Sequence, residues 1–253
     1  MDIIIRHNKI ENIPLLEMFS NDGIKAKPLV IMFHGYGCQK EFVLIQAYNL
    51  ALNGFYIVMP DAFAHGERAT EGNMHDIFGC IQHTAGEINM LIEHYKSSEM
   101  VDASRVGLTG FSMGGMITYY YLATQKHSIK AAAPVIASPD WVSIVKTDDY
   151  TTHLQNMGAS DIDMERNKRI KIAEEIQPLN NIGNMKDVPL LIQNGGADTL
   201  MPVAEIKDFI EKLESLYADK NDLKFIMYPD VGHTDNVPMN YEIASWFKKY
   251  LMI

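Results

Sequence analysis

Short, mostly apolar runs along the chain alternate with longer segments whose apolar residues recur at helical spacing. Runs of this kind predict strands that are covered on both faces, as in a parallel sheet. They occupy residues 28–33, 55–59, 105–109, 131–137, 189–194 and 223–228. Predicted helices occupy residues 40–53, 74–97, 162–176, 203–217 and 240–251, and another begins at Gly114. Pro134 weakens the fourth strand, because a proline donates no hydrogen bond to a neighbouring strand.

This alternation predicts an α/β fold with a mostly parallel central sheet and helices on both faces. Neither an internal repeat nor a Gly/Ser-rich linker interrupts it, so we expect a single domain over residues 1–253. Alternating residues at 13–19 and the turn-forming sequence Asn21-Asp22-Gly23 predict an antiparallel hairpin at one edge of the sheet.

The regular alternation lapses between residues 138 and 186. Residues 162–176 are charged and amphipathic, whereas residues 148–159 are polar and typical of a loop. We expect a small helical insertion at about 139–186 that covers the functional site as a lid. A long crossover helix with decorated loops is the alternative.

Composition is typical of a globular domain with one sizeable core. The 253 residues are 47% hydrophobic, and the mean hydropathy is −0.09. No apolar run approaches the roughly 18 residues of a membrane span, and the N-terminus lacks the pattern of a secretory signal, so a cytoplasmic location is expected. The net charge of −10 disfavours nucleic acid and anionic lipid as partners. Cys38 and Cys80 show no metal-ligand spacing, and we expect neither a metal nor another cofactor.

The sequence Gly110-Phe111-Ser112-Met113-Gly114 lies between a predicted strand and a predicted helix. A serine on such a sharp turn projects its hydroxyl from the sheet, and flanking glycines relieve the crowding of the backbone. The following helix directs its free N–H groups to the same place. A pattern this loose also occurs by chance in loops, so partners for the serine must be found elsewhere in the chain.

Asp198 and His233 each follow a later predicted strand and supply such partners. The carboxyl ends of parallel strands meet at one edge of a sheet, and the order Ser, Asp, His occurs in serine hydrolases built on such sheets. Ser112 would attack an acyl carbon, His233 would carry the proton, and Asp198 would orient the imidazole. Asp198 is alternatively a helix cap, and Asp230 competes for the acid role, although it is close in sequence to His233.

Two backbone N–H groups are predicted to bind an oxyanion. Met113 N–H directly follows the nucleophile, and Tyr36 N–H lies in the loop at 34–37 after an early strand. Such a donor is typically worth about 10²–10³ in rate. Trp141 and Met201 are candidates for lining an acyl pocket, and an ordinary core position is the alternative for each.

Five short motifs along the chain resemble those of one family in kind and in order. They are Phe33-His34-Gly35, Pro60-Asp61-Ala62-Phe63-Ala64-His65-Gly66, Gly110-Phe111-Ser112-Met113-Gly114-Gly115, Asn194-Gly195-Gly196-Ala197-Asp198 with Met201-Pro202, and Gly232-His233. Over nearly its whole length the chain resembles an α/β-hydrolase. Within that superfamily it is similar to small bacterial esterases of the dienelactone hydrolase and prolyl oligopeptidase branches. It departs from the first in having serine rather than cysteine at position 112, and from the second in showing no propeller sequence.

The resemblance implies a carboxylesterase. We expect hydrolysis of short-chain, uncharged carboxylic esters through an acyl-enzyme, with a small-molecule ester as the partner. A peptidase or amidase, or an acyltransferase, would use the same three residues. A non-catalytic binding protein on this fold is the remaining alternative, because a fold does not determine a function.

Overall fold

An eight-stranded sheet forms the centre of the fold in the computed structural model, which describes residues 2–70, 76–156, 158–201 and 203–252. The strands are β1 (Asp2–Ile10), β2 (Ile13–Asn21), β3 (Lys27–Phe33), β4 (Tyr56–Pro60), β5 (Val101–Phe111), β6 (Ile129–Val135), β7 (Leu190–Gly195) and β8 (Leu223–Tyr228). Their order across the sheet is β1-β2-β4-β3-β5-β6-β7-β8. β2 runs antiparallel to β1 and β4, and the other neighbours are parallel, which confirms the predicted mostly parallel sheet.

Helices cover both faces of this sheet. They are α1 (Leu44–Leu52), α2 (Ile77–Tyr95), α3 (Met113–Thr124), α4 (Trp141–Val145), α5 (Asp148–Asn156), α6 (Ile162–Ile176), α7 (Val203–Glu214) and α8 (Val237–Leu251). Alternate residues of β3 enter different cores: Leu29 and Ile31 belong to the core with α2, α3 and α7, whereas Val30 and Met32 belong to the core with α1 and α8. Burial on both faces is the physical reason that the central strands are continuously apolar. No described helix has the length and apolar content needed to cross a bilayer.

Pro134 lies within β6, as the sequence predicts, and the sheet accommodates it on one side. Ala132 and Ile136 donate their N–H groups toward β7, to Pro189 O and Gln193 O. Pro134 lies two residues from each, so its missing N–H falls on the same side of the strand. The gap therefore affects the pairing of β6 with β7 and leaves the pairing of β6 with β5 continuous around Pro134.

Two details of the predicted elements are wrong. The hairpin at the sheet edge is formed by β1 and β2, but its turn is Glu11-Asn12; Asn21 is the last residue of β2, and residues 22–23 begin the link to β3. Residues 148–156 form α5 rather than a loop, because Tyr150 and Leu154, one helical turn apart, are both buried. The predicted start of a helix at Met74 lies outside the described residues, and Asp76 caps the N-terminus of α2 with its side chain.

Candidate active site

Ser112 occupies a strained backbone conformation between β5 and α3. Its φ is 54° and its ψ is −115°, a region that typically costs a non-glycine residue about 1–3 kcal/mol. The surrounding backbone is crowded: a Cβ on Gly110 would lie 2.5 Å from the carbonyl carbon of Gly114, and a Cβ on Gly114 would collide with Phe33 O. These glycines therefore allow the tight turn that carries the serine, as its sequence context predicts.

The structure joins Ser112, His233 and Asp198 by hydrogen bonds. Ser112 Oγ lies 2.8 Å from His233 Nε2, and His233 Nδ1 lies 2.9 Å from Asp198 Oδ2. Because a carboxylate only accepts hydrogen bonds, Nδ1 carries the ring proton and Nε2 is free to accept the proton of Ser112. The other oxygen of Asp198 accepts the N–H groups of Leu200 and Met201, at 2.9 and 3.0 Å, which holds the carboxylate in place.

Close contact between two loops brings Asp198 to His233. The loop after β7 donates Gly196 N–H to Tyr228 O at 2.8 Å, and Ala197 N–H to Val231 O at 3.0 Å. A Cβ on Gly195 would collide with Val231 O, so only glycine allows this approach. Asp230, the second candidate acid, lies exposed, and the structure places Asp198 rather than Asp230 against the imidazole.

Met113 directly follows Ser112, and Tyr36 lies in a loop that passes close to it. Met113 is the first residue of α3, where N–H groups have no carbonyl partner within the helix. The loop after β3 passes beside Ser112, since a Cβ on Gly35 would be 3.6 Å from Ser112 Cβ. Gly35 O accepts hydrogen bonds from His34 Nδ1 at 2.8 Å and from Cys38 N at 3.2 Å. In a trans peptide the N–H points opposite to the C=O, so Tyr36 N–H is directed away from these two donors.

A buried imidazole fixes the start of this loop. His34 Nε2 accepts the N–H of Ala62 at 3.1 Å, so the ring proton resides on Nδ1, which donates to Gly35 O. Burial disfavours the charged ring and lowers the pKa of His34 to about 4. His34 therefore stays neutral near pH 7 and keeps both hydrogen bonds.

A buried ion pair fixes the far end of the same loop. Lys40 Nζ lies 2.9 Å from Asp61 Oδ2 and 2.6 Å from Glu67 Oε1, and Lys40 N donates to Asp61 Oδ1 at 2.9 Å. Burial opposes the charge on Lys40, but the hydrogen bonds to the two carboxylates outweigh it and raise the pKa of the amine. Sequence reasoning missed Lys40, which lies in a segment predicted as ordinary helix. Asp61 stood within a recognised motif without an assigned role.

A cavity of about 290 Å³ lies beside Ser112 and His233. Its walls are mostly apolar or aromatic and come from the loop after β3 and from α2, α3, α4, α5 and the loop after β7. They include Tyr36, Ile77, Phe78, Met116, Ile144, Tyr150, His153, Leu200 and Met201. Met201 thus lines the cavity, as predicted. The aromatic residues on α2 and α5 were missed, because no local pattern links such distant segments.

Trp141 does not line this cavity, which corrects the prediction. Its side chain is fully buried, and its ring stacks on Phe78 at 4.9 Å between ring centroids and on Tyr120 at 5.5 Å. Phe78 lines the cavity, and Trp141 packs behind Phe78 in the core. The tryptophan is the core residue that the alternative interpretation described.

Comparison with known proteins places the chain in a family. Residues 45–252 match the profile of the prolyl oligopeptidase family. A putative esterase, YitV of Bacillus subtilis (strain 168), is 30% identical over 257 residues, covering 98% of this chain and 100% of YitV. TT1662 from Thermus thermophilus superposes with a TM-score of 0.78 at 19% identity, covering 100% of both chains.

An acylaminoacyl peptidase from Pyrococcus horikoshii superposes with a TM-score of 0.74 at 17% identity. That match covers 98% of this chain but 42% of the peptidase, so this chain spans under half of that protein. At such identities the structural matches show the fold alone. Because the family profile spans most of the sequence and YitV matches over its whole length, the chain belongs to the prolyl oligopeptidase family and has the α/β-hydrolase fold.

Proposed function

We propose that the chain is a serine carboxylesterase that hydrolyses short-chain, uncharged carboxylic esters through an acyl-enzyme. The observation that carries this proposal is the hydrogen-bonded line from Ser112 through His233 to Asp198, which ends beside an apolar cavity. At about 30 Å³ for each water-sized unit, a cavity of about 290 Å³ holds roughly ten non-hydrogen atoms. It therefore suits an acyl group of up to about that size.

In the first step Ser112 Oγ attacks the ester carbonyl carbon while its proton passes to His233 Nε2. The tetrahedral intermediate then expels the alcohol: the bond from carbon to the alcohol oxygen breaks, and His233 Nε2 returns the proton to that oxygen. Water repeats the sequence on the acyl-enzyme, with His233 as base, and releases the acid and free Ser112. Asp198 stabilises the imidazolium that forms in both steps.

The developing oxyanion would accept hydrogen bonds from Met113 N–H and Tyr36 N–H. Support for this role comes from the position of Met113 at the start of α3 and from the orientation of the Gly35–Tyr36 peptide beside Ser112. Donors that are fixed before the reaction stabilise the transition state without reorganising.

The segment at 139–186 would act as a lid that excludes water from the cavity. Ile144 of α4 and Tyr150 and His153 of α5 lie in the cavity wall, which supports this role. Thr199, next to Asp198, donates its hydroxyl to Asp149 of α5 at 2.5 Å and ties the segment to the loop after β7.

The family match favours a peptidase as the second candidate function, since acylaminoacyl peptidase is among the structures that superpose on this chain. The same residues would then expel an amine instead of an alcohol. Cleavage of an N-acetyl-aminoacyl p-nitroanilide at a higher kcat/KM than the matching p-nitrophenyl ester would favour the peptidase over the esterase.

The proposal is tested with p-nitrophenyl esters of increasing acyl length. We expect kcat/KM to rise to a chain of about eight carbons and to fall for longer chains, because the cavity is then full. Ser112→Ala lowers kcat by a factor on the order of 10⁶, and Asp198→Asn by about 10⁴. Asp230→Asn is the matched control and keeps the wild-type rate. Equal hydrolysis by wild type and Ser112→Ala would refute the proposal.

A cytoplasmic location is part of the proposal. Cys38 and Cys80 form no disulfide among the described residues, which is typical of reducing compartments. Cell fractionation with an antibody to the protein would test the location.

A further inference from the structure

A second space adjoins Ser112 and His233, apart from the cavity assigned to the acyl group. It is an open cleft of about 370 Å³, and its walls include Phe42, Gln46 and Asp235. Ser112 and His233 line both spaces, so the two catalytic atoms lie between them. We call this second space the alcohol cleft, for the role argued below.

The two spaces differ in how far their walls are open to solvent. Five described residues that line the cavity are buried, Phe78, Tyr150 and Met201 among them, against three that line the alcohol cleft. The outer wall of the cleft includes Phe42, which is 67% exposed, and Thr234, which is also exposed. The alcohol must leave the site before water attacks, while the acyl group stays attached to Ser112. The acyl group therefore fits the closed cavity, and the alcohol fits the cleft that opens to solvent.

The chemistry of the cleft indicates the kind of alcohol. Phe42 provides an apolar wall, and Ile45, three residues further along the chain, is also exposed. Asp235 contributes a carboxylate that accepts Gln46 Nε2–H at 2.7 Å. Lysine and arginine are absent from the described residues that line the cleft, so an anionic leaving group would meet a negative charge without a compensating cation.

We propose that the alcohol cleft binds the leaving group of the ester and that Phe42 makes it selective for longer apolar alcohols over short or anionic ones. This inference rests on the proposed esterase function and adds the class of alcohol to it. Phe42 contacts the departing group and takes no part in proton transfer, so it determines specificity rather than the chemical step.

The test holds the acyl group constant and varies the alcohol. Butyrate esters of ethanol, butanol, hexanol and octanol share one acyl-enzyme, so differences in kcat/KM report only acylation. Their alcohols are all primary alkanols of similar acidity, which leaves binding as the variable. We expect kcat/KM, measured by titration of the released acid, to rise about tenfold from the ethyl to the hexyl ester. A fully buried methylene would gain about fourfold, and the open cleft buries each of the four added methylenes only in part.

Phe42→Ala lowers the ratio of kcat/KM for the hexyl ester to that for the ethyl ester by about fivefold. Ile24→Ala is the matched control: Ile24 is 63% exposed, comparable to Phe42, and lies in the link between β2 and β3. It keeps the wild-type ratio. A second series, ethyl esters from acetate to hexanoate, has the same chain-length dependence in wild type and in Phe42→Ala, because the acyl chain does not reach the cleft.

Each alternative result has its own consequence. A flat dependence on alcohol length, or an unchanged ratio in Phe42→Ala, overturns the assignment of the alcohol cleft while the esterase activity stands. An effect of Phe42→Ala on the acyl series alone overturns it as well, because the two spaces would then have opposite roles. Absence of any Ser112-dependent ester hydrolysis instead refutes the proposed function on which the inference rests.

Discussion

Replacing Lys40 by methionine tests whether the buried ion pair beside the loop at 34–39 holds the active site as well as the fold. The Lys40 side chain is 2% exposed and that of Asp61 is fully buried. Methionine keeps most of the length and volume of lysine, so packing is retained while the charge is lost. Among the described residues, Asp61 is then left with the N–H groups of Lys40 and Glu67 as hydrogen-bond donors, at 2.9 and 3.0 Å.

Breaking a buried ion pair by removing one partner typically costs 3–5 kcal/mol, because the other charge stays buried without compensation. We expect Lys40→Met to lower the free energy of unfolding by about 3 kcal/mol, near the bottom of that range, since two donors to Asp61 remain. Urea denaturation measures this loss. The double variant Lys40→Met, Asp61→Asn no longer has the uncompensated charge and recovers about half of the lost free energy of unfolding.

Lys27→Met is the matched control for activity. Lys27 is equally buried, and its Nζ lies 2.6 Å from Asp22 Oδ1. The Lys27–Asp22 pair, however, lies at the start of β3, at the opposite end of the strand from the loop that contains Tyr36. Lys27→Met therefore also loses stability, by about 1–3 kcal/mol because Asp22 is partly solvated, but keeps the wild-type kcat.

Lys40→Met, in contrast, loosens the loop that positions Tyr36 N–H and lowers kcat about tenfold. That is less than the roughly 10²–10³ typical for loss of an oxyanion donor, because Tyr36 N–H, the proposed donor, is displaced rather than removed. The assay is hydrolysis of p-nitrophenyl butyrate at a temperature at which both variants are folded by circular dichroism. Equal loss of kcat in the two variants would refute the reasoning, as would a loss of stability below about 1 kcal/mol in Lys40→Met.

Three further predictions concern strain, protonation and crowding near the site. Ser112→Gly raises the free energy of unfolding by about 1 kcal/mol in urea denaturation, because glycine tolerates φ of 54°. Hydrolysis of p-nitrophenyl butyrate is lost in the same variant. A lower free energy of unfolding would show that the backbone of Ser112 is not strained. The lowered pKa of His34 means that the unfolded chain binds more protons at this group, which lowers stability by about 2 kcal/mol from pH 7.5 to pH 5. His34→Gln removes this share of the pH dependence in the same assay, while His65 and His127, whose pKa values are also lowered by burial, keep theirs. Gly114→Ala lowers both the melting temperature and kcat, because the added Cβ would collide with Phe33 O. Gly86→Ala in α2 is the control: the space around Gly86 is open, and the free energy of unfolding rises by about 0.5–1 kcal/mol. An unchanged melting temperature and kcat in Gly114→Ala would show that the turn is not crowded.

Features that depend on neighbouring residues could be predicted from the sequence. The parallel strands followed from continuous apolar runs, since burial on both faces requires apolar residues at every position. Ser112, Asp198 and His233 were found because each follows a strand, and strand ends meet at one edge of a parallel sheet. The structure joins these three side chains by hydrogen bonds, and it places Asp198 rather than Asp230 beside the imidazole.

Features that depend on distant residues were predicted less well. The sequence predicts Trp141 in the pocket wall. In the structure Phe78 lines the cavity and Trp141 stacks on Phe78, so Trp141 lies behind the wall. The polar sequence of α5 predicts a loop, since its two buried residues are too few to give a clear periodic signal. The importance of Lys40 was invisible, because its partner Asp61 lies 21 residues away on another loop.

By itself, then, the sequence determined the class of fold and the candidate residues Ser112, Asp198 and His233. The tertiary structure decided which acid meets the imidazole, which side chains wall the cavity, and where the alcohol cleft lies beside Ser112. The physical reason is that periodicity and turn chemistry act between neighbours in the chain. Cavities and buried ion pairs instead arise from contacts between segments whose separation carries no local pattern, and only packing of the whole domain brings them together.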